Sequence, residues 1–98
     1  MKISKEKIDT KLTVTLEGRL DTTTAPELSD ALKDALDGIT ELIMDLKGLE
    51  YISSAGLRVL LSSQKVMDKQ GKMIVKNAND SIKEIFEVTG FSEILTIE

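Results

Sequence analysis

Two adjacent hydroxyl side chains, Ser53 and Ser54, stand between an apolar segment and a segment with helical periodicity, in the stretch "YISSAGLRVLL". A serine at a helix start can act as a cap, because its side-chain oxygen accepts a hydrogen bond from a first-turn N–H group. A serine there can also carry a phosphate, since the unpaired N–H groups and the helix dipole stabilise an anion. The phosphate would add about −1.5 to −2 charges to the surface and leave the helix intact. The residues alone leave both roles open.

Catalysis by this serine pair is not favoured by the rest of the chain. The sequence has no histidine and no cysteine, which excludes Ser-His and Cys nucleophile systems, thiolate zinc sites and disulfides. A Ser-Lys hydrolase would need a nearby lysine, and the nearest, Lys47 and Lys65, lie beyond the turn that contains the serines. There is no glycine-rich phosphate loop of the Walker type. We therefore expect no catalytic residue and no bound cofactor.

Two carboxylates, Asp21 and Asp45, raise the question of a metal. If their strands run parallel, both could approach the same end of the sheet, and paired carboxylates can hold Mg²⁺. The simpler interpretation is that Asp21 orders its own turn by accepting backbone hydrogen bonds and that Asp45 is a satisfied carboxylate at a strand end. Neither spacing is a metal motif, so we expect no metal site.

The bulk properties limit the classes of partner. Ninety-eight residues with 41% hydrophobic content are enough for one small domain with one core. The net charge of −4 and the lack of a Lys/Arg cluster argue against binding to nucleic acid. The amino end is charged, and no run approaches the roughly 18 apolar residues of a membrane span. We expect a cytoplasmic protein without direct membrane insertion.

The first half of the chain predicts two strands and a helix. Alternating apolar residues predict a strand over Lys11–Glu17, with a weaker partner strand over Ile3–Ile8. The sequence from Gly18 to Thr23 breaks that pattern. Thr24–Glu27 fits a capping box with proline in the first turn, so helix one is expected from Ala25 to Asp37, with Gly38 as a left-handed cap.

The second half predicts three more strands and two more helices. A nearly continuous apolar run predicts a central strand over Leu42–Leu46. Helical periodicity predicts helix two from Ser54 to Lys69, before Gly71, and a short apolar run predicts a strand over Met73–Lys76.

A third helix and a last strand complete the prediction. Asn79 and Asp80 are expected to cap a helix that ends at Gly90, and a final strand is expected over Ile94–Ile97. The buried stripe of this third helix would consist of Ile82, Ile85, Phe86 and Thr89.

The resulting order, β-β-α-β-α-β-α-β, implies a single-domain α/β fold with one mixed sheet and right-handed crossovers. Ser53 and Ser54 then fall between the carboxyl end of a strand and the start of a helix. In open α/β sheets this is the edge where ligands and partners bind.

Three segments resemble the STAS domains, and most closely the free-standing anti-sigma factor antagonists: "LEGRLDTTTAPEL", "LIMDLKGLEYISSAGLRVLL" and "GKMIVKNANDSIKEIFEVTGFSEIL". The resemblance covers essentially the whole chain. Its most specific part is the pattern aromatic, apolar, Asp or Ser, Ser, small residue, Gly, Leu, which is found at Tyr51–Leu57. The Asp-Leu pair of the central strand precedes it, at Asp45 and Leu46.

The resemblance implies a non-enzymatic binding module that is switched by phosphorylation. Its partner would be an anti-sigma factor serine kinase with the histidine-kinase-like ATPase fold, whose sequestration releases a sigma factor. A PP2C-type serine phosphatase would reverse the modification. The phosphorylated serine maps onto Ser54. Ser53 is the alternative, because many family members carry aspartate there and this chain offers a second hydroxyl instead.

The resemblance also suggests where partners make contact. The family's Gly-x-Leu-Asp turn matches Gly18 to Asp21, and its loop should lie beside the serine loop. The partner-binding residues expected on this basis are Asp21, Ser53, Ser54, Ala55, Gly56 and Arg58.

Two other functions remain open from the sequence. The chain could be a STAS subunit of another assembly, such as a stressosome-like complex or a lipid-transport ATPase, without a phosphorylation switch. It could also be a small enzyme that uses the serine loop as an anion site, although no convergent base is present.

Overall fold

The computed structural model describes all residues from 1 to 98 as a five-stranded sheet with three α-helices. The predicted order of elements is confirmed, and a short 3-10 helix at Phe91–Glu93 precedes the last strand. The elements are β1 (Lys2–Ile8), β2 (Lys11–Leu20), α1 (Ala25–Leu32), β3 (Glu41–Ile52), α2 (Ser54–Gln70), β4 (Lys72–Lys76), α3 (Asp80–Val88) and β5 (Thr96–Ile97).

The sheet is mixed, as the sequence predicts. Its strand order is β1-β2-β3-β4-β5. The β1 strand pairs antiparallel with β2, and the remaining neighbours are parallel. Each parallel pair is joined by a helix, so the carboxyl ends of β2, β3 and β4 lie at one edge of the sheet.

The core covers one face of this sheet. Leu12, Leu42 and Met73 form one row across three adjacent parallel strands, and each is at most 3% exposed. Residues from all three helices join the same buried cluster, including Leu28, Leu60 and Phe86. The opposite face carries polar side chains that are only partly buried, such as Thr13, Thr15 and Asp45. None of the helices is long and apolar enough to cross a membrane.

Two strands are longer than predicted. The β2 strand does not stop at Glu17 but continues through Gly18 to Leu20. Gly18 has a φ of 104° and still pairs with Leu49. The pairing register shifts by one residue between Gly18 and Arg19, so the glycine lies opposite a bulge in β3 and is not a strand end. The β3 strand likewise continues beyond Leu46 to Ile52. These extensions carry both strands to the serine loop.

Helix α1 is shorter than predicted and ends at Leu32 rather than at Asp37. The next residues form turns with hydrogen bonds to the third preceding carbonyl, such as the 3.3 Å bond from Asp37 N to Asp34 O. Carboxylates are unfavourable at the negative end of a helix dipole, which disfavours continuation through these two aspartates. Leu36 is still buried, so the predicted apolar stripe is correct although the predicted end of the helix is wrong.

The other two helices match their predicted positions closely. Asn79 caps α3, since its side-chain oxygen accepts a 2.9 Å hydrogen bond from Ile82 N. The prediction of Thr89 as a buried residue is wrong: it is exposed, and its hydroxyl donates to Ile85 O at 2.6 Å. The last strand is only Thr96–Ile97, because the 3-10 helix uses the residues before it.

Candidate partner-binding site

Strands β2 and β3 end side by side at the carboxyl edge of the sheet. Leu20 pairs with Ile52, and the next residue, Ser53, donates its backbone N–H to Leu20 O at 2.9 Å. Asp21 and Ser53 therefore follow paired residues on neighbouring strands. The structure brings the Asp21 loop and the serine loop together, as the sequence analysis expected.

The two serines have different structural roles. Ser53 has extended backbone angles (φ −99°, ψ 176°) and is the N-cap of α2, where its Oγ accepts a hydrogen bond from Gly56 N at 3.4 Å. It is partly buried. Ser54 is the first residue of the helix, is exposed, and makes no side-chain hydrogen bond within the chain. Ser54 is therefore the more accessible of the two hydroxyl side chains.

Gly56 is small because α2 packs closely against the strand ends. A Cβ atom there would lie 2.7 Å from Leu20 Cγ and 2.9 Å from Ile52 Cγ1, which is closer than carbon atoms tolerate. Gly56 is buried and shapes the surface from below, whereas Ala55 is partly exposed. Of the residues assigned to partner contact, Gly56 is the one that the structure places beneath the surface.

Asp21 orders the loop in which it lies. Its Oδ1 accepts hydrogen bonds from the backbone N–H groups of Thr23 at 3.0 Å and Thr24 at 3.1 Å. The Thr24 hydroxyl adds a 3.2 Å contact, and Arg19 Nε lies 3.9 Å from Oδ2. The bond from Thr24 N–H is the largest cause that lowers the pKa of Asp21 below its ordinary value. Asp21 is therefore an ionised turn residue, as the simpler interpretation proposed.

Thr24 does not form the predicted capping box with Glu27. Its hydroxyl donates to Arg19 O at 2.7 Å and accepts from Asp21 N at 2.8 Å, so it is not available to cap α1. The proline of the predicted box, Pro26, does lie in the first turn of the helix. The loop between β2 and α1 is thus stabilised by its own side chains.

Arg19 and Tyr51 extend the site along the strand ends. They are direct neighbours across β2 and β3, and the guanidinium carbon of Arg19 lies 4.4 Å from the centre of the Tyr51 ring. Tyr51 is 38% exposed. Arginine and tyrosine are enriched in protein interfaces. The sequence analysis did not assign Arg19 to the site, because the pairing register that places it beside Tyr51 depends on the bulge in β3 opposite Gly18.

The pair of carboxylates that could hold a metal is not formed. Asp45 pairs with Thr15 and precedes Ile52, at the end of β3, by seven residues. It therefore lies about 20 Å along the strand from the edge of the sheet where Asp21 is found. Its Oδ1 accepts hydrogen bonds from Lys47 N at 3.0 Å and Asn77 Nδ2 at 2.9 Å. Asp45 is therefore a satisfied carboxylate far from Asp21, and no cluster of three or more potential metal ligands exists in the chain.

A groove between α1 and α2 begins beside the serine loop. Its first part lies between Thr22 and Ala55, and its second part, of about 260 Å³, continues to Val66. The second part is lined by Arg58, on α2, and by Lys33, the residue that follows α1. The groove combines apolar side chains with two cations, and its first part begins at Ala55, the residue after the exposed serine.

Comparison with known proteins identifies the family to which this chain belongs. The STAS domain model matches residues 2–98, and the chain belongs to the STAS domain family. The BtrV protein of Bordetella bronchiseptica, named as an anti-sigma factor antagonist, is 35% identical over 99 residues, covering 99% of this chain and 85% of that protein. An anti-sigma-B factor antagonist of Listeria monocytogenes is 30% identical over 97 residues, covering 96% and 84%.

Solved structures confirm the fold. An anti-sigma factor antagonist from Mycobacterium paratuberculosis has a TM-score of 0.89 and 24% identity, covering 98% of this chain and 83% of that chain. The anti-sigma factor antagonist SpoIIAA in its unphosphorylated form has a TM-score of 0.78 and 16% identity, covering 99% and 87%. Its phosphorylated form has a TM-score of 0.77 and 17% identity, covering 99% and 91%.

Proposed function

We propose that this chain is an anti-sigma factor antagonist, a non-enzymatic protein that binds an anti-sigma factor and thereby releases a sigma factor. Relatives that carry this name match it over almost its whole length. Its partners would be an anti-sigma factor serine kinase with the histidine-kinase-like ATPase fold and a PP2C-type phosphatase, both in the cytoplasm. The observation that carries the proposal is the exposed Ser54 at the start of α2, beside the ordered loop of Asp21.

Ser54 is the residue that we propose is phosphorylated. Its hydroxyl is exposed and free of hydrogen bonds within the chain, whereas the Ser53 hydroxyl caps the helix. The amino end of α2 stabilises an anion, so a phosphate on Ser54 would not unfold the helix. This geometry supports a switch that changes the surface and leaves the fold in place.

The partner would contact the surface formed by the two loops and the first turn of α2. In the unmodified protein this surface presents Asp21, Tyr51 and the two serines, with the groove beside Ala55. A phosphate on Ser54 would add charge and bulk at the centre of this surface. A closely packed partner would then lose its contact, because a doubly charged group needs room and compensating donors.

Mass spectrometry tests this assignment directly. The tryptic peptide Gly48 to Arg58 contains only three hydroxyl side chains, those of Tyr51, Ser53 and Ser54. We expect protein purified from its native host to carry a phosphate on Ser54 that phosphatase treatment removes. A phosphate found only on Ser53 would contradict the site assignment. The absence of phosphate during both growth and stress would favour a STAS subunit of another assembly.

A further inference from the structure

The first cation of α2, Arg58, has no partner within the chain. Arg58 is exposed and forms no ion pair. The only other arginine, Arg19, is already engaged, since its guanidinium lies 3.9 Å from Asp21 Oδ2 and stacks on Tyr51. Arg58 instead lines the groove between α1 and α2. Its guanidinium is therefore available for an anion that appears nearby.

Arg58 is placed to reach a phosphate on Ser54. The two residues are four positions apart on α2, and side chains with this spacing lie on one helix face with Cβ atoms about 5–6 Å apart. Helical side chains also lean toward the amino end, so the long side chain of Arg58 tilts toward Ser54. A guanidinium can bind a phosphate with two parallel hydrogen bonds.

We propose that Arg58 is the intramolecular partner of a phosphate on Ser54, and that phosphorylation draws its guanidinium out of the groove between α1 and α2. The inference rests on the proposed modification of Ser54. Phosphorylation would then change the binding surface at two points, because a phosphate is added and a cation is removed from the groove. A partner that uses the guanidinium would lose that contact as well.

The charges around Ser54 make the pair measurable. Asp21, at the end of β2, lies in the adjacent loop, and Asp30, on α1, lines the groove beside Ala55. Both carboxylates disfavour the doubly charged phosphate, whereas Arg58 favours it. Arg19 is held by Asp21 and contributes less. The second pKa of the phosphate therefore reports whether the guanidinium of Arg58 is in contact.

The experiment uses the full chain with phosphoserine incorporated at position 54 during translation, followed by a ³¹P NMR titration. We expect Arg58→Gln to raise the second pKa of the phosphate by about 0.3 unit or more. Arg58→Lys should give a smaller shift, because an ammonium keeps the charge but not the two-point contact. Lys65→Gln is the control: this exposed lysine is on the same helix, roughly 16 Å from Ser54 along its axis.

Equal pKa values in the Arg58→Gln and Lys65→Gln proteins would overturn the proposed pair. The phosphate is installed without a kinase, so this result does not depend on whether an anti-sigma factor binds the chain. If the titration shows no pair but the chain still binds such a kinase, the proposed function is unaffected. A clear shift without any kinase binding would support the pair and contradict the function.

Discussion

The backbone N–H of Ser53 donates a 2.9 Å hydrogen bond to the carbonyl of Leu20, which joins the serine loop to the end of the neighbouring strand. Leu20 also packs where Gly56 leaves room for it. The cap, the strand end and the first turn of α2 are thus held as one unit. A change on the exposed side of this unit, at Ser54, can alter what binds there without requiring the fold to change.

The two serines should differ in their contribution to stability. Ser53→Ala removes the cap of α2 and should lower the free energy of unfolding by about 0.5–1 kcal/mol. This is the lower part of the range for N-cap substitutions, because the hydrogen bond is 3.4 Å long. Ser54→Ala removes a hydroxyl without a partner and should change the free energy of unfolding by less than about 0.5 kcal/mol. Urea denaturation measures both. A larger loss in Ser54→Ala would contradict the roles assigned to the two serines.

Asp21 should make stability depend on pH. The hydrogen bond from Thr24 N–H and the other contacts hold the pKa of Asp21 below its ordinary value in the folded protein. The unfolded chain therefore binds a proton at higher pH than the folded chain does. The stabilisation is complete above the unfolded pKa, near 4, and is lost as the pH falls through the folded pKa.

The comparison of wild type with Asp21→Asn tests this dependence. The difference in the free energy of unfolding should be largest above about pH 5 and should shrink as the pH falls below about 4. Glu87→Gln is the control, since this exposed carboxylate is in α3, away from the loop. A difference that stays constant from pH 6 to pH 2.5 would show that the carboxylate charge of Asp21 is not what stabilises the loop.

Gly71 should tolerate no side chain, for a reason of space. Its φ of 171° is open to any residue, but a Cβ would lie 1.9 Å from the carbonyl oxygen of Thr40. Gly71→Ala should lower the free energy of unfolding by roughly 3 kcal/mol, since the backbone at Gly71 or Thr40 must move to make room for the Cβ. Gly38→Ala is the matched control: it has φ +78° with open space, and should cost only about 1 kcal/mol.

Thermal denaturation of these two variants measures the difference. For a domain of this size each kcal/mol corresponds to roughly 4–8 °C in Tm, so the two variants should be clearly separated. Equal Tm values would mean that the contact between Gly71 and Thr40 does not constrain the turn before β4.

Tyr51 should contribute to partner binding. Its ring is 38% exposed near the end of β3, and the guanidinium carbon of Arg19 lies 4.4 Å from the centre of the ring. Tyr51→Ala should weaken binding to the anti-sigma factor kinase by about 10-fold, because a fixed aromatic ring in a contact surface typically contributes about 1–2 kcal/mol. Val88→Ala is the control, an apolar residue 80% exposed on α3. Equal binding by both variants in titration calorimetry would place Tyr51 outside the interface.

Much of the fold follows from patterns within single segments. Period-2 alternation located β2, and the apolar stripes located α2 and α3. The end of α1 required more than a pattern, because the stripe continues through Leu36 while the helix stops at Leu32. Gln70, from α2, donates to the carbonyl oxygens of Leu36 and Ile39 at 2.6 Å each. Such a tertiary contact cannot be read from the residues of α1 alone.

The candidate site, like the fold, was only partly predictable from the sequence. The residue types placed the serines at a strand-to-helix junction, but they did not separate the capping serine from the exposed one. That separation depends on backbone angles at Ser53 and on the first turn of α2. The contact between Arg19 and Tyr51 depends on the bulge in β3 opposite Gly18, which shifts the register by one residue. A glycine after a strand pattern predicts an end or a bulge equally well.

Binding to the anti-sigma factor kinase of the same organism tests the account most directly. Titration calorimetry would compare the unmodified chain, the Ser54→Ala variant and the chain with phosphoserine at position 54. We predict that the first two bind alike and that the phosphorylated chain binds at least about 100-fold more weakly, with its fold intact by circular dichroism. Equal affinity of the phosphorylated and unmodified chains, or no binding by either, would contradict the account.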